Sequence, residues 1–413
     1  MLKGKIAFCT VPHLGGIYSV YTRLQQSLSQ QGWQIFCVTV GNEKYDWYGY
    51  DAKLADEGYV EIASGETNLK QSVKAFVDWV QKEKIDIVIP MSSKICLSAI
   101  PHLPKTTYVV TRCVDITPFA YRLVIPSKER TTKIVVTSKR QWHDLKNKYR
   151  IPENKLFLIP NAVDTNYFSG KHDSLKSSFL EVIRLGFVGR LENRQKSIFY
   201  LVKITQYLQK KGITWHLDIV GDGPDKKELL RRFEQNKIEK QVKFHGAQPL
   251  RNIPAILNKI DILVMPSKFE GFPSALIEAM ATGVVPVCSR LKGVTDWIVD
   301  DQKTGILCSP NNPKAFAQAI FELATNRTRL ISMGKAAQAE IKQRFNIQRF
   351  QNNWSQLFSD VINSKSFDIE PLSWSKFRLS PAFHRSLSNR LLFQWIPRSW
   401  KDKMRLKLEI FQK

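Results

Sequence analysis

The stretch Ile262–Gly283 reads ILVMPSKFEGFPSALIEAMATG. Its opening run is apolar, which is typical of a buried strand, and Gly271 permits a tight turn after it. Pro273 then suits the first turn of a helix, and Glu278 falls on that helix. A strand that leads directly into a helix is the repeating unit of α/β proteins, so this stretch predicts an α/β fold.

Similar units extend in both directions and form two series. Short apolar runs alternate with helical patterns in each series, which favours parallel strands joined by crossover helices. The first series has predicted strands at Ile6–Val11, Gln34–Val40, Ile85–Pro90, Thr107–Thr111, Lys133–Ser138 and Leu156–Pro160. The second has them at Val182–Val188, Trp215–Val220, Val242–Phe244, Ile262–Met265, Val284–Cys288 and Gly305–Cys308.

The two series predict two doubly wound, Rossmann-like domains. We place the N-terminal domain at 1–172 and the C-terminal domain at 173–345, with a polar linker around 170–174. A helix over 346–363 is expected to cross back between the domains, and 364–413 forms a C-terminal extension. Ligands of such sheets bind at the carboxyl ends of the strands, so we expect a cleft where the two domains face each other.

Composition excludes several classes of protein. The chain has 413 residues, 43% of them hydrophobic and 24% charged, which excludes disordered, collagenous and polytopic membrane proteins. No window offers an uninterrupted apolar run long enough to span a bilayer. The six cysteines include no Cys-x-x-Cys pair and several lie in strand-like runs, which favours buried, reduced thiols in a cytoplasmic protein.

The basic charge is the unusual part of the composition. The chain has 62 lysines and arginines against 37 acidic residues, a formal net charge of +25, which favours a polyanionic partner. The last 50 residues hold 11 basic and 4 acidic residues, so they are the most charge-dense part. No lysine-rich arm, zinc-finger spacing or aromatic RNA-binding motif accompanies the charge, which disfavours nucleic acid.

The tail mixes cations with large apolar side chains. That composition is typical of a segment that lies on an anionic membrane surface, in which case the protein is peripheral on the inner face of the membrane. It is equally compatible with a tail that packs on the protein itself. The residues concerned are Trp374, Phe377, Phe383, Leu391, Leu392, Phe393, Trp395, Ile396 and Trp400, with Arg378, Arg385, Arg390, Arg398 and Lys401 among them.

Two carboxylates lie in the stretch Ile262–Gly283. Glu270 falls in the loop at the carboxyl end of a predicted strand, and Glu278 follows on the next helix. The first N–H groups of that helix, near Ser274 and Ala275, would favour an anion such as a diphosphate.

The same residues carry a resemblance. Pro266–Gly283 resembles the Glu-x7-Glu signature of glycosyltransferase family 4, whose members are retaining enzymes of the GT-B fold that use nucleoside-diphosphate sugars. Together the matching pieces span residues 1 to about 345. The further pieces, which match in order, are Gly15–Gly16, Ile159–Asp164, Val188–Leu191, Val220–Pro224 and Phe244–Gly246.

The resemblance implies roles for residues of the second half. Glu278 would accept hydrogen bonds from the donor ribose, and Glu270 would face the hydroxyls of the transferred sugar. Arg190 and Lys196 would stabilise the departing diphosphate, although their spacing is one residue longer than the commonest form. The implied donor-binding set around them is Gly271, Phe272, Pro273, Ser274 and Ala275.

Two glycine turns belong to the same implied donor site. Gly15 and Gly16 follow the first strand, where a backbone without side chains can approach a phosphate. Gly221 and Asp222 end another strand, and we expect Asp222 to cap the helix that follows. For Gly15 and Gly16 a plain tight turn is the alternative. For Gly221 and Asp222 the turn is the first interpretation, and direct contact with the donor is the alternative.

One family feature is missing on the acceptor side. Many members carry a histidine after the fourth N-terminal strand, whereas this chain reads VVTRCVD over 109–115. Arg112 and Asp115 occupy that neighbourhood, and His13 lies beside the glycine turn, so these three are the candidate acceptor-side residues.

We expect no metal and no cofactor, because the histidines are scattered and no Asp-x-Asp pair occurs. The expected partners are a nucleotide sugar and a glycan or lipid-linked acceptor, with retention through front-face displacement as the family implies. A degenerate GT-B protein that binds nucleotide sugars or glycans without transfer is one alternative. A nucleotide-sugar epimerase of the same fold is another.

Overall fold

The computed structural model of the chain describes residues 2–13, 15–43, 50–127, 129–169, 182–364 and 369–383. These residues form two parallel β-sheets flanked by helices, which confirms the predicted α/β fold. The linker predicted around 170–174 lies outside the described residues, as does the tail from residue 384 onward.

The N-terminal domain contains a seven-stranded sheet in the order β3-β2-β1-β4-β5-β6-β7. The order reverses beside β1, so the crevice of this sheet opens at the carboxyl end of β1. Its strands are β1 Gly4–Cys9, β2 Trp33–Val40, β3 Tyr59–Ile62, β4 Ile87–Ile89, β5 Tyr108–Arg112, β6 Thr131–Val136 and β7 Leu156–Leu158. Its helices are α1 Gly16–Leu28, α2 Leu69–Lys82, α3 Lys94–Ala99, α4 Pro118–Val124 and α5 Lys139–Asn147.

Strand β3 is present in the structure but was not among the predicted strands. Its residues pair in parallel with the end of β2, Cys37 with Tyr59 through Val40 with Ile62. The strand lies at the sheet edge, and only Ile62 of its four residues is buried. A short, half-exposed edge strand has no continuous apolar run, so the sequence pattern did not reveal it.

The C-terminal domain contains a six-stranded sheet in the order β10-β9-β8-β11-β12-β13. All six strands predicted for this half are present. They are β8 Val182–Val188, β9 Thr214–Val220, β10 Val242–Gly246, β11 Ile262–Met265, β12 Val285–Ser289 and β13 Ile306–Cys308. The helices are α6 Asn193–Lys196, α7 Phe199–Lys210, α8 Lys226–Gln235, α9 Ile253–Leu257, α10 Ser274–Ala281, α11 Thr295–Ile298, α12 Pro313–Thr325 and α13 Arg327–Arg344.

The last long helix returns the chain to the N-terminal domain. Helix α14 spans Ile347–Ile362, and its apolar face joins the core of the first sheet through Phe350, Trp354, Leu357, Phe358 and Val361. The ring centroids of Trp33 and Phe358 lie 5.4 Å apart, edge to face. The Trp33 indole N–H donates to Ser355 Oγ at 3.1 Å.

Residues 369–383 also pack on the N-terminal domain. The Trp374 ring stacks on His102 with centroids 4.5 Å apart, and Ser380 N donates to Ser98 Oγ at 3.0 Å. Ala382 is buried in the same core. This part of the tail therefore follows the self-packing alternative, whereas the tail aromatics beyond Phe383 lie outside the described residues.

All six cysteines are buried and free, as predicted. Burial raises the pKa of each thiol for which a shift is resolved, in the case of Cys308 to about 12. Thiols of this kind stay protonated and unreactive, so they serve as small apolar core residues. Within the residues that the structure describes, no helix is long and apolar enough to cross a membrane.

Candidate active site

The carboxyl edges of the two sheets face each other and touch. Gly271, in the loop after β11, lies against the backbone that follows β5: an ideal Cβ on Gly271 would come within 2.3 Å of Val114 O and 2.7 Å of Asp115 Cα. Only a residue without a side chain permits this approach. The contact places the Glu-x7-Glu stretch directly opposite the N-terminal domain.

Helix α10 forms the floor of this site. Leu276 through Ala281 are all buried, including Glu278, whereas Ser274 and Ala275 in the first turn are partly accessible. The first N–H groups of a helix have no acceptor within the helix, so this turn can receive an anion. The Phe272 side chain does not face the cleft but packs on Trp297 and Phe345, with ring centroids at 6.0 and 5.5 Å, and thereby anchors the loop before the helix.

Glu270, which is buried, and Lys196, which is partly buried, form an ion pair beside this helix. Lys196 Nζ donates to both carboxylate oxygens, at 2.7 and 2.9 Å, and Glu270 is 4% exposed. Gln195 Nε2 adds a weaker hydrogen bond at 3.4 Å, and Lys268 N donates to Gln195 O at 2.8 Å, which ties α6 to the loop. The structure thus brings together two of the three residues predicted to be catalytic.

Arg190 is the third, and it lies in the loop after β8. An ideal Cβ on the preceding Gly189 would lie 3.7 Å from Lys196 Cε, so this loop borders the Lys196–Glu270 pair. The Arg190 side chain is about half exposed and lies 3.8 Å from Glu192. The arrangement puts an accessible guanidinium at the edge of the same cleft.

Glu278 has a partner that the sequence analysis missed. Arg23, on α1 of the other domain, donates from Nη2 to Glu278 Oε1 at 2.9 Å, and both side chains are less than 10% exposed. A detectable signal was present, because Arg23 lies three residues after Val20, at helical spacing, in a helix whose buried residues are otherwise apolar or aromatic. A cation on an apolar helix face requires a buried partner.

Asn161 provides a second bridge between the domains. It accepts a hydrogen bond from Arg112 Nη2 at 2.6 Å and donates from Nδ2 to Ser274 Oγ at 3.0 Å. Burial lowers the pKa of Arg112 to about 10. Asn161 lies in the Ile159–Asp164 motif, but the motif alone did not show which ligand or domain its side chain contacts.

Asp115 and His13 both form hydrogen bonds within the N-terminal domain. The Asp115 carboxylate accepts from Thr117 N and Thr117 Oγ1, both at 2.6 Å, so it forms the turn before α4. His13 Nδ1 lies 2.8 Å from Val11 O; since a carbonyl only accepts, Nδ1 carries the proton and Nε2 is the acceptor. Burial lowers the pKa of His13, which favours this neutral form.

The glycine turn before α1 leaves room for a ligand at one position only. An ideal Cβ on Gly15 would lie 2.7 Å from the His13 ring, whereas one on Gly16 would meet none of the residues that the structure describes within 4 Å. The close approach of the His13 ring therefore favours glycine at position 15. Gly16 has no such intramolecular requirement.

Gly221 and Asp222 have structural roles beside the cleft. Gly221 has a φ of +131°, and an ideal Cβ there would lie 2.0 Å from Gly189 O. The prediction that Asp222 caps α8 is wrong, because the helix begins only at Lys226 and Asp225 precedes it. Asp222 instead accepts from Lys226 Nζ at 2.9 Å and Gly223 N at 2.7 Å, and these bonds lower its pKa.

Residues 176–340 match the family model of the glycosyl transferases group 1. This segment is similar to that family and is called the group 1 domain. The match confirms the predicted resemblance to glycosyltransferase family 4. It covers Arg190, Lys196, Glu270 and Glu278, whereas Arg23 lies outside it in the N-terminal domain.

Curated relatives point to the same family. A putative colanic acid biosynthesis glycosyltransferase, WcaL of Escherichia coli strain K12, is 30% identical over 50% of this chain and 52% of its own. The chain thus spans about half the length of the first relatives it matches. An Escherichia coli UDP-Gal:alpha-D-GlcNAc-diphosphoundecaprenol alpha-1,3-galactosyltransferase is 26% identical over 69% of this chain and 78% of its own. The N-acetyl-alpha-D-glucosaminyl L-malate synthase of Bacillus anthracis is 22% identical over 87% and 98%.

Solved structures show the fold. Sucrose-phosphate synthase from Thermosynechococcus elongatus superposes with a TM-score of 0.73 at 18% identity, over 88% of this chain and all of that one. Anabaena HepE in complex with UDP-glucose superposes with a TM-score of 0.70 at 16% identity, over 86% of this chain and all of that one. The predicted GT-B architecture of the group 1 domain and its N-terminal partner is confirmed.

Proposed function

We propose that the protein is a retaining, metal-independent glycosyltransferase that moves a sugar from a nucleoside diphosphate to a glycan or lipid-linked acceptor. The Lys196–Glu270 ion pair carries the proposal, because it lies in the cleft, with Glu270 buried, and within the group 1 domain. The Glu270 carboxylate suits the hydroxyls of the sugar, and the Lys196 ammonium suits the leaving diphosphate.

The donor diphosphate would lie between the first turn of α10 and the two cations. Ser274 and Ala275 offer N–H groups at the helix N-terminus, and Arg190 and Lys196 approach from the loop after β8 and from α6. These groups are in place before the sugar leaves, so they can stabilise the negative charge that develops on the phosphate as the C–O bond breaks. We therefore propose that these side chains neutralise the diphosphate, as a divalent cation would do in a metal-dependent enzyme.

The two glutamates would orient the remaining donor groups. An ionised carboxylate only accepts hydrogen bonds and can take two O–H donors at once, which suits vicinal hydroxyls. Glu270 would face the transferred sugar, and Glu278 would face the ribose. No residue is assigned as covalent nucleophile; we propose front-face displacement, with the leaving phosphate assisting removal of the acceptor proton.

The proposed acceptor class is based on the names of two relatives. One relative is named for transfer to a diphosphoundecaprenol-linked sugar, and another for colanic acid biosynthesis. We propose a glycan or lipid-linked acceptor of the same class for this chain. His13, Arg112 and Asp115 belong to the N-terminal domain, and we propose that such an acceptor enters beside them.

We also propose that residues 384–413 attach the protein to an anionic lipid surface, since cations and tryptophans are interleaved there. Flotation with phosphatidylglycerol-containing vesicles tests this: the full chain should float and a chain stopped after Phe383 should not. Equal flotation of both would remove the tail from the explanation.

The activity is tested in three steps on the purified full-length protein. Thermal stabilisation by a panel of UDP-, GDP- and ADP-sugars selects the donor. Donor turnover is then followed with glycan and polyprenyl-diphosphate acceptors, with and without EDTA, and the product anomer is read by NMR. We expect retention, insensitivity to EDTA and loss of turnover in Glu270→Gln. Binding without turnover would indicate the degenerate alternative, and a changed sugar without acceptor would indicate an epimerase.

A further inference from the structure

Arg23 and Glu278 belong to different domains and are 255 residues apart in sequence, yet they form a buried ion pair at 2.9 Å. Glu278 is the charged residue on an otherwise apolar, buried helix. Burial of an unpaired carboxylate is costly, so the guanidinium offsets that cost and determines where the oxygens of Glu278 point.

The pair leaves part of the carboxylate available. Arg23 donates to Oε1, and a carboxylate has lone pairs on both oxygens. A ribose hydroxyl can therefore be accepted by Oε2 while Arg23 stays bound. The planar guanidinium restricts the orientation of its partner more than a lysine would.

A neighbouring cation favours the same arrangement. Burial is the main cause of the lowered pKa of Arg112. The nearby positive charge of Arg23 lowers this pKa further. Arg112 is held by Asn161, which also bonds Ser274 on α10. Repulsion from Arg112 and attraction to Glu278 both draw Arg23 toward α10, across the closed cleft.

We propose that Arg23 is a positioning residue that holds Glu278 for the ribose of the donor, so that this part of the donor site is complete only when the two domains are closed. The inference rests on the proposed function. Its direct competitor is a blocking role, in which the ribose must displace Arg23.

Isothermal titration with ribose-modified nucleotides separates these roles. The probes are UDP and 2′,3′-dideoxy-UDP, or the ADP or GDP pair if the wild type prefers that base. We expect Arg23→Gln to weaken UDP binding about tenfold or more, as for loss of a charged hydrogen bond, and to leave dideoxy-UDP binding unchanged. Arg23→Lys should restore part of the affinity.

Coupling to Glu278 provides a second measurement. The double variant Arg23→Gln/Glu278→Gln should bind UDP no more weakly than Glu278→Gln alone, because Arg23 acts through that carboxylate. Arg231→Gln, an exposed arginine on α8, is the matched control and should bind like the wild type. Melting curves of every variant verify that it is folded.

Three results overturn the inference while the proposed function stands: wild-type affinity in Arg23→Gln, tighter UDP binding in that variant, or equal weakening of UDP and dideoxy-UDP. The first removes any role for Arg23, the second indicates blocking, and the third indicates a general structural effect. A wild-type protein that binds none of the three nucleotides overturns the proposed function itself.

Discussion

Both carboxylate oxygens of Glu270 accept hydrogen bonds from Lys196, at 2.7 and 2.9 Å, in a site where the glutamate is almost fully buried. The pair therefore contributes to stability as well as to the proposed chemistry. Replacement of one partner leaves a buried charge, whereas replacement of both does not. This difference separates the two contributions.

We expect Lys196→Met to lower the free energy of unfolding by about 2–3 kcal/mol and kcat by about 100-fold, because an unpaired carboxylate and an unneutralised leaving group result. The double variant Lys196→Met/Glu270→Gln should recover most of the stability and none of the activity. Thermal melts and initial rates measure the two effects. Full activity in the double variant would exclude this pair from the chemistry.

Gly271→Ala should prevent closure of the cleft, because the new Cβ would meet Val114 O and the Asp115 backbone rather than a flexible side chain. Small displacements of reacting groups are costly, so we expect kcat/KM to fall by about 100-fold. Small-angle scattering should show a larger radius of gyration. Gly305→Ala is the control: its Cβ would clash with Pro286 inside one domain, so it should lower the Tm without opening the cleft.

Gly16→Ala tests whether the glycine turn meets a ligand. Because a Cβ at Gly16 would have no neighbour within 4 Å in the described part of the chain, the variant should fold and melt like the wild type. If a diphosphate approaches this backbone, the variant should bind the donor nucleotide at least about tenfold more weakly. Gly15→Ala should instead lower the Tm through its clash with His13. Unchanged nucleotide affinity in Gly16→Ala would assign the pair to a plain turn.

His13 should make the stability depend on pH. Burial lowers its pKa in the folded state, outweighing the hydrogen bond to Val11, while the unfolded imidazole titrates near the ordinary value of about 6.5. Its contribution to stability is thus fully present above about pH 6.5 and is lost as the pH falls toward the lowered folded value. The fall in Tm between about pH 7.5 and 5.5 should be smaller in His13→Asn, which can still donate to Val11 O. Identical falls would mean that His13 is not buried neutral.

Truncation should separate the two parts of the tail. A chain that stops after Phe383 keeps the Trp374–His102 stack and the buried Ala382, and we expect its Tm to match that of the full chain. A chain that stops after Ser364 loses both, and its Tm should fall by several degrees, since about 1 kcal/mol corresponds to roughly 2–4 °C in large domains. Equal melting of the two fragments would mean that 369–383 adds no stability.

The sequence revealed the parts of this fold and site that depend on local patterns. The six strands of the second sheet are short runs rich in apolar residues, and the Glu-x7-Glu stretch with Arg190 and Lys196 stands out by its spacing. Strand β3 escaped because an edge strand with one buried residue has no such run. Asp222 was wrongly predicted as the cap because a turn at 224–225 precedes α8, which begins only at Lys226.

The interdomain contacts of Arg23 and Asn161 were not predicted, for a different reason. Each makes its defining contact with a residue more than 100 positions away, on the other domain. Such contacts depend on how two folded domains meet, and no periodicity within one helix or strand encodes that. The charged residue on the apolar face of α1 indicated that a partner existed, but not which one.

Helix α14 makes the N-terminal domain discontinuous in sequence, since its core includes Trp354 and Phe358 from the far end of the chain. On the ribosome, the first domain cannot complete its core until the whole group 1 domain has been synthesised. The second domain is therefore free to fold first, and a recombinant fragment that ends near residue 169 would expose the surface around Trp33 that α14 covers. Separate production of the first domain requires residues 347–383 to be joined to it.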